Sequence, residues 1–347
     1  MSSILSILGV IAGLGLLMVV HESGHYFAAR AFGMRVIKFS IGMPPGLFRH
    51  QKKDSPTLFQ IGAIPFFAYV QIAGMNPLEE SDPQDKGSYA NASLLGRIVT
   101  IVAGSLANYL TASILFFGGL LIAGEPIGQT TVIAEVQGGT AAAAAGFRVG
   151  DKVVEAEGQP VTDWMKFREL VQKRAGIAMP IVVERKGERV PLTATPTPYG
   201  KAREGRIGLG AVPITRPIPI GKAASRAVQL PAKVVGDLLS GLGNFIRGKE
   251  KVELGGPVMM VKEGQKAASG GAGELMFFLG ALSANLALFN LLPFPALDGG
   301  RLMFLLYEAV SRRRPDAVIE AHVHLVGFVM LLALMVFVTW NDTFGKR

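Results

Sequence analysis

The segment His21-Glu22-Ser23-Gly24-His25 brings together residue types that could do chemistry. Two histidines four apart on a helix project from nearly one face, within reach of a single tetrahedral Zn²⁺. The glutamate between them can serve as general base for the water that such an ion activates. The chain has five histidines and no cysteine, so a metal site has to draw on His, Asp or Glu. The plainer alternative is a group of polar residues at a membrane interface. Against it, ionisable groups at the end of an apolar run are costly to hold there and are usually functional.

A catalytic zinc needs a third protein ligand and one position left open. His50 follows a basic stretch, whereas His322 and His324 lie two apart on a helix, cannot both face one ion, and read as interfacial helix residues. Asp298 is the better candidate, because it sits in Asn290-Leu-Leu-Pro-Phe-Pro-Ala-Leu-Asp298-Gly-Gly, where an apolar span is interrupted. Irregular backbone at membrane depth is tolerated only where it is buried in protein or lines a wet cavity, so the acid and the break explain each other. Gly299 and Gly300 permit close backbone approach. Asn290 could offer its amide to a peptide carbonyl or a developing oxyanion, or could instead hydrogen-bond between helices.

The elements that must position these residues follow from composition. Of 347 residues, 50% are hydrophobic and 18% charged, which excludes an ordinary soluble enzyme and points to membrane spans of about 20 apolar residues. Four are expected: Ile4 to Val20 with its continuation to Phe32; Leu94 to Ala123; Met276 to Leu292, broken at Pro293-Phe294-Pro295 and resuming from Leu302 to Val310; and Val323 to Thr339. A cleaved signal peptide is disfavoured for the first, since no Lys or Arg precedes the apolar run and an ionisable cluster follows it. The net charge of +9 fits topology setting and contact with anionic membrane lipid, and no nucleic-acid motif is present.

Thr130 to about Pro198 reads as a small water-soluble domain, with strands at Thr131-Glu135, Lys152-Ala156, Ile181-Arg185 and Arg189-Thr193, a helix at Trp164-Arg174, and a hairpin turn at Lys186-Gly187. A Pro-rich linker is expected from Thr195 to Pro219, then an amphipathic helix from Gly221 to Arg247 suited to the bilayer surface. Leu58 to Ala73 is apolar, strand-like and too short to span, as in a re-entrant or interfacial hairpin. Arg30, Arg35, Lys38, Arg49, Lys52 and Lys53 follow span one, and Arg312 to Arg314 precede span four. These loops should face the cytoplasm, leaving both termini and the soluble domain on the other side.

Taken together, the His21–His25 motif and Asn290 to Gly300 resemble the site-2 protease family of intramembrane zinc metalloproteases, in the bacterial PDZ-containing branch that includes the regulator of sigma-E protease. The resemblance covers nearly the whole chain. Ile61 to Val70 is similar to the family's membrane re-entrant β-hairpin, with Phe67-Ala68 where Gly-Gly is usual. Arg97 to Asn108 resembles its second span, with Ala103-Gly104-Ser105 for Ala-Gly-Pro, and Gly139 to Gly158 its PDZ domain. Gly256-Pro257-Val258 and Val336 to Asp342 also match.

The fold this implies is a polytopic α-helical membrane protein with about four transmembrane helices, one inserted extracytoplasmic PDZ domain and a re-entrant hairpin. Its parts would be an N-terminal membrane core (1–125), the PDZ domain (126–200), a linker with amphipathic helix (201–255) and a C-terminal membrane core (256–347). The resemblance further implies Zn²⁺ held by His21, His25 and Asp298, Glu22 as catalytic base, and substrate contact at Asn290, Pro293 and Pro295. The expected activity is cleavage of single-pass membrane proteins, such as trimmed anti-sigma factors and remnant signal peptides, in regulated intramembrane proteolysis at the bacterial inner membrane. The PDZ domain would filter by size or dock a peptide. Two rivals make distinct predictions: a non-catalytic PDZ scaffold with structural zinc would not need Glu22, and a transporter would show inverted repeats, of which none is seen.

Overall fold

In the computed structural model, residues 3–76, 78, 82–199, 203–247 and 256–344 are described; parts of the expected linker, residues 200–202 and 248–255, lie outside them. The chain begins with α1 (Ser3–Ala31), two long strands β1 (Val36–Gln51) and β2 (Leu58–Ile72), and α2 (Leu94–Ala123). A strand-rich stretch follows: β3 (Glu125–Val136), α3 (Ala141–Ala145), β4 (Lys152–Ala156), β5 (Gln159–Pro160), α4 (Trp164–Lys173), β6 (Met179–Arg185), β7 (Glu188–Ala194), β8 (Thr197–Tyr199), β9 (Glu204–Arg206) and β10 (Leu209–Arg216). Helices complete it: α5 (Ile220–Ile246), α6 (Pro257–Gly270), α7 (Ala272–Leu291), α8 (Asp298–Ser311) and α9 (Ala317–Phe344).

Among the described residues, four segments are long and apolar enough to cross a bilayer: Ile7–Ala31 of α1, and all of α2, α7 and α9. They coincide with the four spans expected from hydropathy. The α7 helix stops where Leu292 turns extended ahead of Pro293, since a residue before proline is sterically barred from helical backbone. The α8 helix restarts at Asp298, which places a carboxylate in the first turn, where the helix dipole favours negative charge.

The chain separates into two compact units, one holding the elements through Ile122 with the C-terminal helices, the other centred on Ala123–Pro219. In the first, β1 and β2 pair on each other twice over, so that Phe39 lies opposite both Val70 and Phe59. Here the structure adds to the reading above: Val36–Gln51, taken there as a basic loop, is a strand. Met43, Leu47, Phe48, Ile61, Ile64 and Phe67 are exposed on this sheet.

In the second unit, β10, β3, β4, β6 and β7 lie side by side in that order, with β5 attached to β4. Val153, Phe167, Met179, Ile181 and Val183 form its buried core. Asp163 caps α4 by accepting from the Met165 N–H at 2.6 Å. The expected Pro-rich linker needs correction. Within it, β8 pairs with β9, and β10 runs antiparallel to β3, with Leu209 opposite Val136 and Ala211 opposite Ile133. Pro213 is compatible because β10 is an edge strand, where a missing N–H costs no ladder bond. A cavity of about 590 Å³ is lined by β10 and α4 residues, among them Leu209, Ala211, Phe167, Arg168 and Val171.

Candidate metal centre

The α1 helix presents His21 and His25 from one face, both buried, and α2 runs directly against them. Contact this close requires glycine on both helices. A Cβ on Gly24 would lie 2.7 Å from the Ala103 carbonyl carbon, and one on Gly104 would lie 2.6 Å from His25 Cε1 and 2.8 Å from His21 Cε1. The same helix orients the rings. His25 Nδ1 lies 2.7 Å from the Thr100 carbonyl oxygen, which can only accept, so Nδ1 carries the proton and Nε2 keeps its lone pair.

His21 Nδ1 lies 3.4 Å from the side-chain amide of Asn108, whose other amide atom, Oδ1, is buried without a partner. A half-turn of that amide presents Oδ1 inward to accept the His21 Nδ1–H, the arrangement that again leaves Nε2 free. Ser283 on α7 donates to the Asn108 carbonyl at 2.8 Å, tying the third apolar helix to the same point.

The third group arrives from α8. Asp298 Oδ2 lies 3.1 Å from His21 Nε2 and 3.2 Å from His25 Nε2, and the two Nε2 atoms are 3.2 Å apart. Among the described residues these three form the one cluster of His and carboxylate groups that could hold a metal ion. The fit is testable from geometry alone. Ligand atoms about 2.0–2.1 Å from a tetrahedral zinc are about 3.3 Å from one another, close to all three edges of this triangle. Asp298 Oδ2 is buried without a hydrogen-bond partner, and with both rings protonated at Nδ1, as their contacts favour, two imidazole lone pairs and a carboxylate oxygen converge on one point. A cation satisfies all three at once.

The backbone of the break makes this approach possible. A Cβ on Gly299 would lie 2.5 Å from the Leu291 carbonyl oxygen, and one on Gly300 would lie 2.5 Å from that of Phe294. The far end of α8 is secured by Glu308, which receives two hydrogen bonds from Arg97 of α2, at 2.6 and 2.9 Å, both side chains being largely buried.

Glu22, between the two histidines, accepts from the backbone N–H of Val70 at 2.9 Å through Oε2, so the outer edge of β2 lies beside it. Asn290, at the end of α7, brings its amide nitrogen to 3.4 Å from His21 Nε2. Pro293 and Pro295 lie in the turn between α7 and α8 and form no hydrogen bond to the triangle. His50 is exposed on β1, opposite Phe59, and is not one of the converging groups. His324 departs from the expectation of an interfacial residue: its Nδ1 accepts from the Ala296 N–H at 3.0 Å.

The reading from sequence assigned no role to Thr100, Gly104 and Asn108. Their signal was present, as small and polar residues spaced by four along one stripe of an otherwise apolar span.

Comparison with known proteins agrees with this chemistry. The profile of peptidase family M50 matches residues 9–334. A chain of Agrobacterium fabrum bearing the name of a zinc metalloprotease, Atu1380, is 32% identical across 95% of this chain and 93% of its own length. Zinc metalloprotease RasP of Geobacillus kaustophilus is 29% identical across 97% of each chain. Among solved structures, the PDZ domain of the SdrC-like protein from Listeria innocua aligns with 24% of this chain and 92% of its own, at 18% identity and a TM-score of 0.22. With apolar helices of spanning length around a zinc-compatible triad, the chain is a membrane protein and a zinc metalloprotease, and it belongs to peptidase family M50, the site-2 protease family.

Proposed function

We propose that this protein is an intramembrane endopeptidase of the bacterial cytoplasmic membrane that cuts single-pass membrane proteins within or beside their spans. The observation that carries this reading is the His21, His25 and Asp298 triangle at the ends of apolar helices, with Glu22 beside it and a strand edge at Val70 within hydrogen-bond reach.

His21, His25 and Asp298 hold the zinc. When bound, zinc polarises the scissile carbonyl and lowers the pKa of a water toward about 7. Glu22 receives the proton of the attacking water and passes it to the leaving amine nitrogen, with Oε1 available while Oε2 faces Val70. Asn290 aims its amide N–H at the carbonyl oxygen as charge develops there. Pro293 and Pro295 shape the turn against which the substrate lies.

A helical substrate hides its peptide bonds in hydrogen bonds four residues apart, so it has to be extended first. The outer edge of β2 offers strand addition for the extended segment, at the depth of Glu22. The apolar side chains exposed on the β1–β2 sheet support its insertion into the bilayer.

The second unit is read as a PDZ-type domain on the extracytoplasmic side. The groove between edge strand β10 and α4 is suited to an extended peptide, and the basic loops after α1 and α8 favour the cytoplasm for the opposite side. In this reading it docks peptides or excludes untrimmed substrates. Trimmed anti-sigma factors and remnant signal peptides are the natural candidates for cleavage, in regulated intramembrane proteolysis.

The test is reconstitution in liposomes with a tagged single-pass protein, and in parallel with the same cut-site sequence in a soluble carrier. Cleavage of the first and not the second, lost in Glu22→Gln, is expected. Equal cleavage of both would refute the intramembrane reading.

A further inference from the structure

The turn between α7 and α8 poses a problem in hydrogen-bond accounting. Its six residues, Leu292 to Leu297, include two prolines and therefore carry four N–H groups; Leu292 donates back to the Leu288 carbonyl at 3.1 Å, which leaves those of Phe294, Ala296 and Leu297 to be satisfied. At membrane depth no water stands ready to satisfy an unpaired one. Phe294 donates to the Leu292 carbonyl at 2.7 Å and Leu297 to that of Phe294 at 3.2 Å, both within the turn. Ala296 has no local acceptor. It also adopts φ +75°, a left-handed backbone that L residues seldom hold unless the surroundings impose it.

The missing acceptor comes from the last span. His324 Nδ1 on α9 takes the Ala296 N–H at 3.0 Å, which requires the ring proton on Nε2. Three residues further along, Gly327 lets the α9 backbone lie against the turn, since a Cβ there would be 2.6 Å from the Pro295 carbonyl oxygen. Phe304 of α8 packs on the His324 ring, with centroids 5.7 Å apart. Ala296 is two residues before Asp298, so whatever fixes its backbone also fixes the start of α8.

We propose that His324 is a positioning residue for the metal centre, locking the left-handed turn at Ala296 that delivers Asp298 to His21 and His25. The inference rests on Asp298 being a zinc ligand, as set out above. His324 itself touches neither metal nor substrate.

Asparagine and glutamine separate this role from bulk packing. The Asn side-chain oxygen falls near the place of Nδ1 and can accept from Ala296; the Gln amide reaches instead to the place of Nε2. The full chain is purified in detergent as wild type, His324→Ala, His324→Asn, His324→Gln and Asp298→Ala, and zinc affinity is measured by competition with a chelating dye beside a thermal melt. His324→Ala and His324→Gln should bind zinc about 10- to 100-fold more weakly, the range for outer-shell partners, and His324→Asn should return to near wild type.

Wild-type affinity in His324→Ala, or the same behaviour of Asn and Gln, overturns the proposal. If His324→Ala does not fold, the Asn and Gln pair decides alone. Asp298→Ala distinguishes the two layers. If it retains wild-type affinity, the ligand assignment itself fails; if it loses zinc while His324→Ala does not, only the positioning role fails.

Discussion

Substituting Gly104 by alanine adds one methyl group where α2 meets both histidines. The new Cβ would stand 2.6 Å from His25 Cε1 and 2.8 Å from His21 Cε1, against a comfortable separation of about 3.5–4.0 Å, a shortfall of about 1 Å. Neither partner can easily yield. The His25 ring is held by its 2.7 Å contact with Thr100, and α1 already touches α2 backbone to backbone at Gly24. Relief must come from parting the helices, whereas ligand positions in a metal site are tolerant only to about 0.2 Å. Overpacking of this kind costs about 1–3 kcal/mol, which corresponds to roughly 5- to 140-fold in zinc affinity if the site carries all of it. Gly118→Ala on the same helix is the control, because its Cβ would meet only the flexible end of the Met276 side chain, Sδ at 2.8 Å and Cε at 3.3 Å. Zinc competition and cleavage assays on both variants should show a large loss for Gly104→Ala and little for Gly118→Ala. Tight zinc binding by Gly104→Ala, or equal loss in both, would refute the close-contact argument.

Other parts of the structure make separate predictions. Removing Arg97 leaves the largely buried Glu308 with only the exposed Arg314, at 3.8 Å, to offset its charge, so Arg97→Ala should destabilise by about 3 kcal/mol, the low end for a broken buried pair, in a detergent unfolding assay. Arg97→Lys should recover part of this without the two-point geometry, and a loss under about 1 kcal/mol in the Ala variant would contradict the pairing. In the second unit, burial opposes the charge of Asp151, but hydrogen bonds from Arg185 and the Arg148 N–H outweigh it and hold its carboxyl below the usual range. A carboxylate depressed on folding stabilises above its unfolded pKa of about 3.9 and loses that contribution as pH falls through the folded value. Asp151→Asn should therefore be less stable at pH 7 and converge with wild type in strong acid, read from buried Trp164 fluorescence; a gap independent of pH would contradict this. Val70→Pro removes the single N–H that Glu22 accepts and places a proline ring on the outer edge of β2, and should lower cleavage with zinc content unchanged; undiminished cleavage would argue against substrate addition at that edge.

How much of this was legible in the sequence depends on how local each signal is. Membrane spans are set by length and hydropathy alone, and α2 occupies Leu94–Ala123 as read. His21 and His25 follow from helical spacing, and Asp298 from the conflict between an acid, two prolines and an apolar span. The β1 strand was not legible, because Val36–Gln51 carries Lys38 and Arg49 and its partner lies beyond a turn rich in polar residues. The β10 strand was hidden by Pro213 and by pairing with β3, more than 70 residues upstream by the Ala211 and Ile133 match (211 − 133 = 78). His324 could not have been assigned at all, since its partner is a backbone N–H exposed only by the fold of the turn.

The proposed mechanism divides the labour: His21, His25 and Asp298 would bind the metal and Glu22 would move the proton. The most direct measurement is zinc per chain and substrate cleavage, determined together on the purified protein for wild type, Glu22→Gln and Asp298→Ala. One zinc and cleavage in wild type, zinc without cleavage in Glu22→Gln, and neither in Asp298→Ala is the result expected. Cleavage by Glu22→Gln at the wild-type rate, or full zinc occupancy in Asp298→Ala, would contradict it.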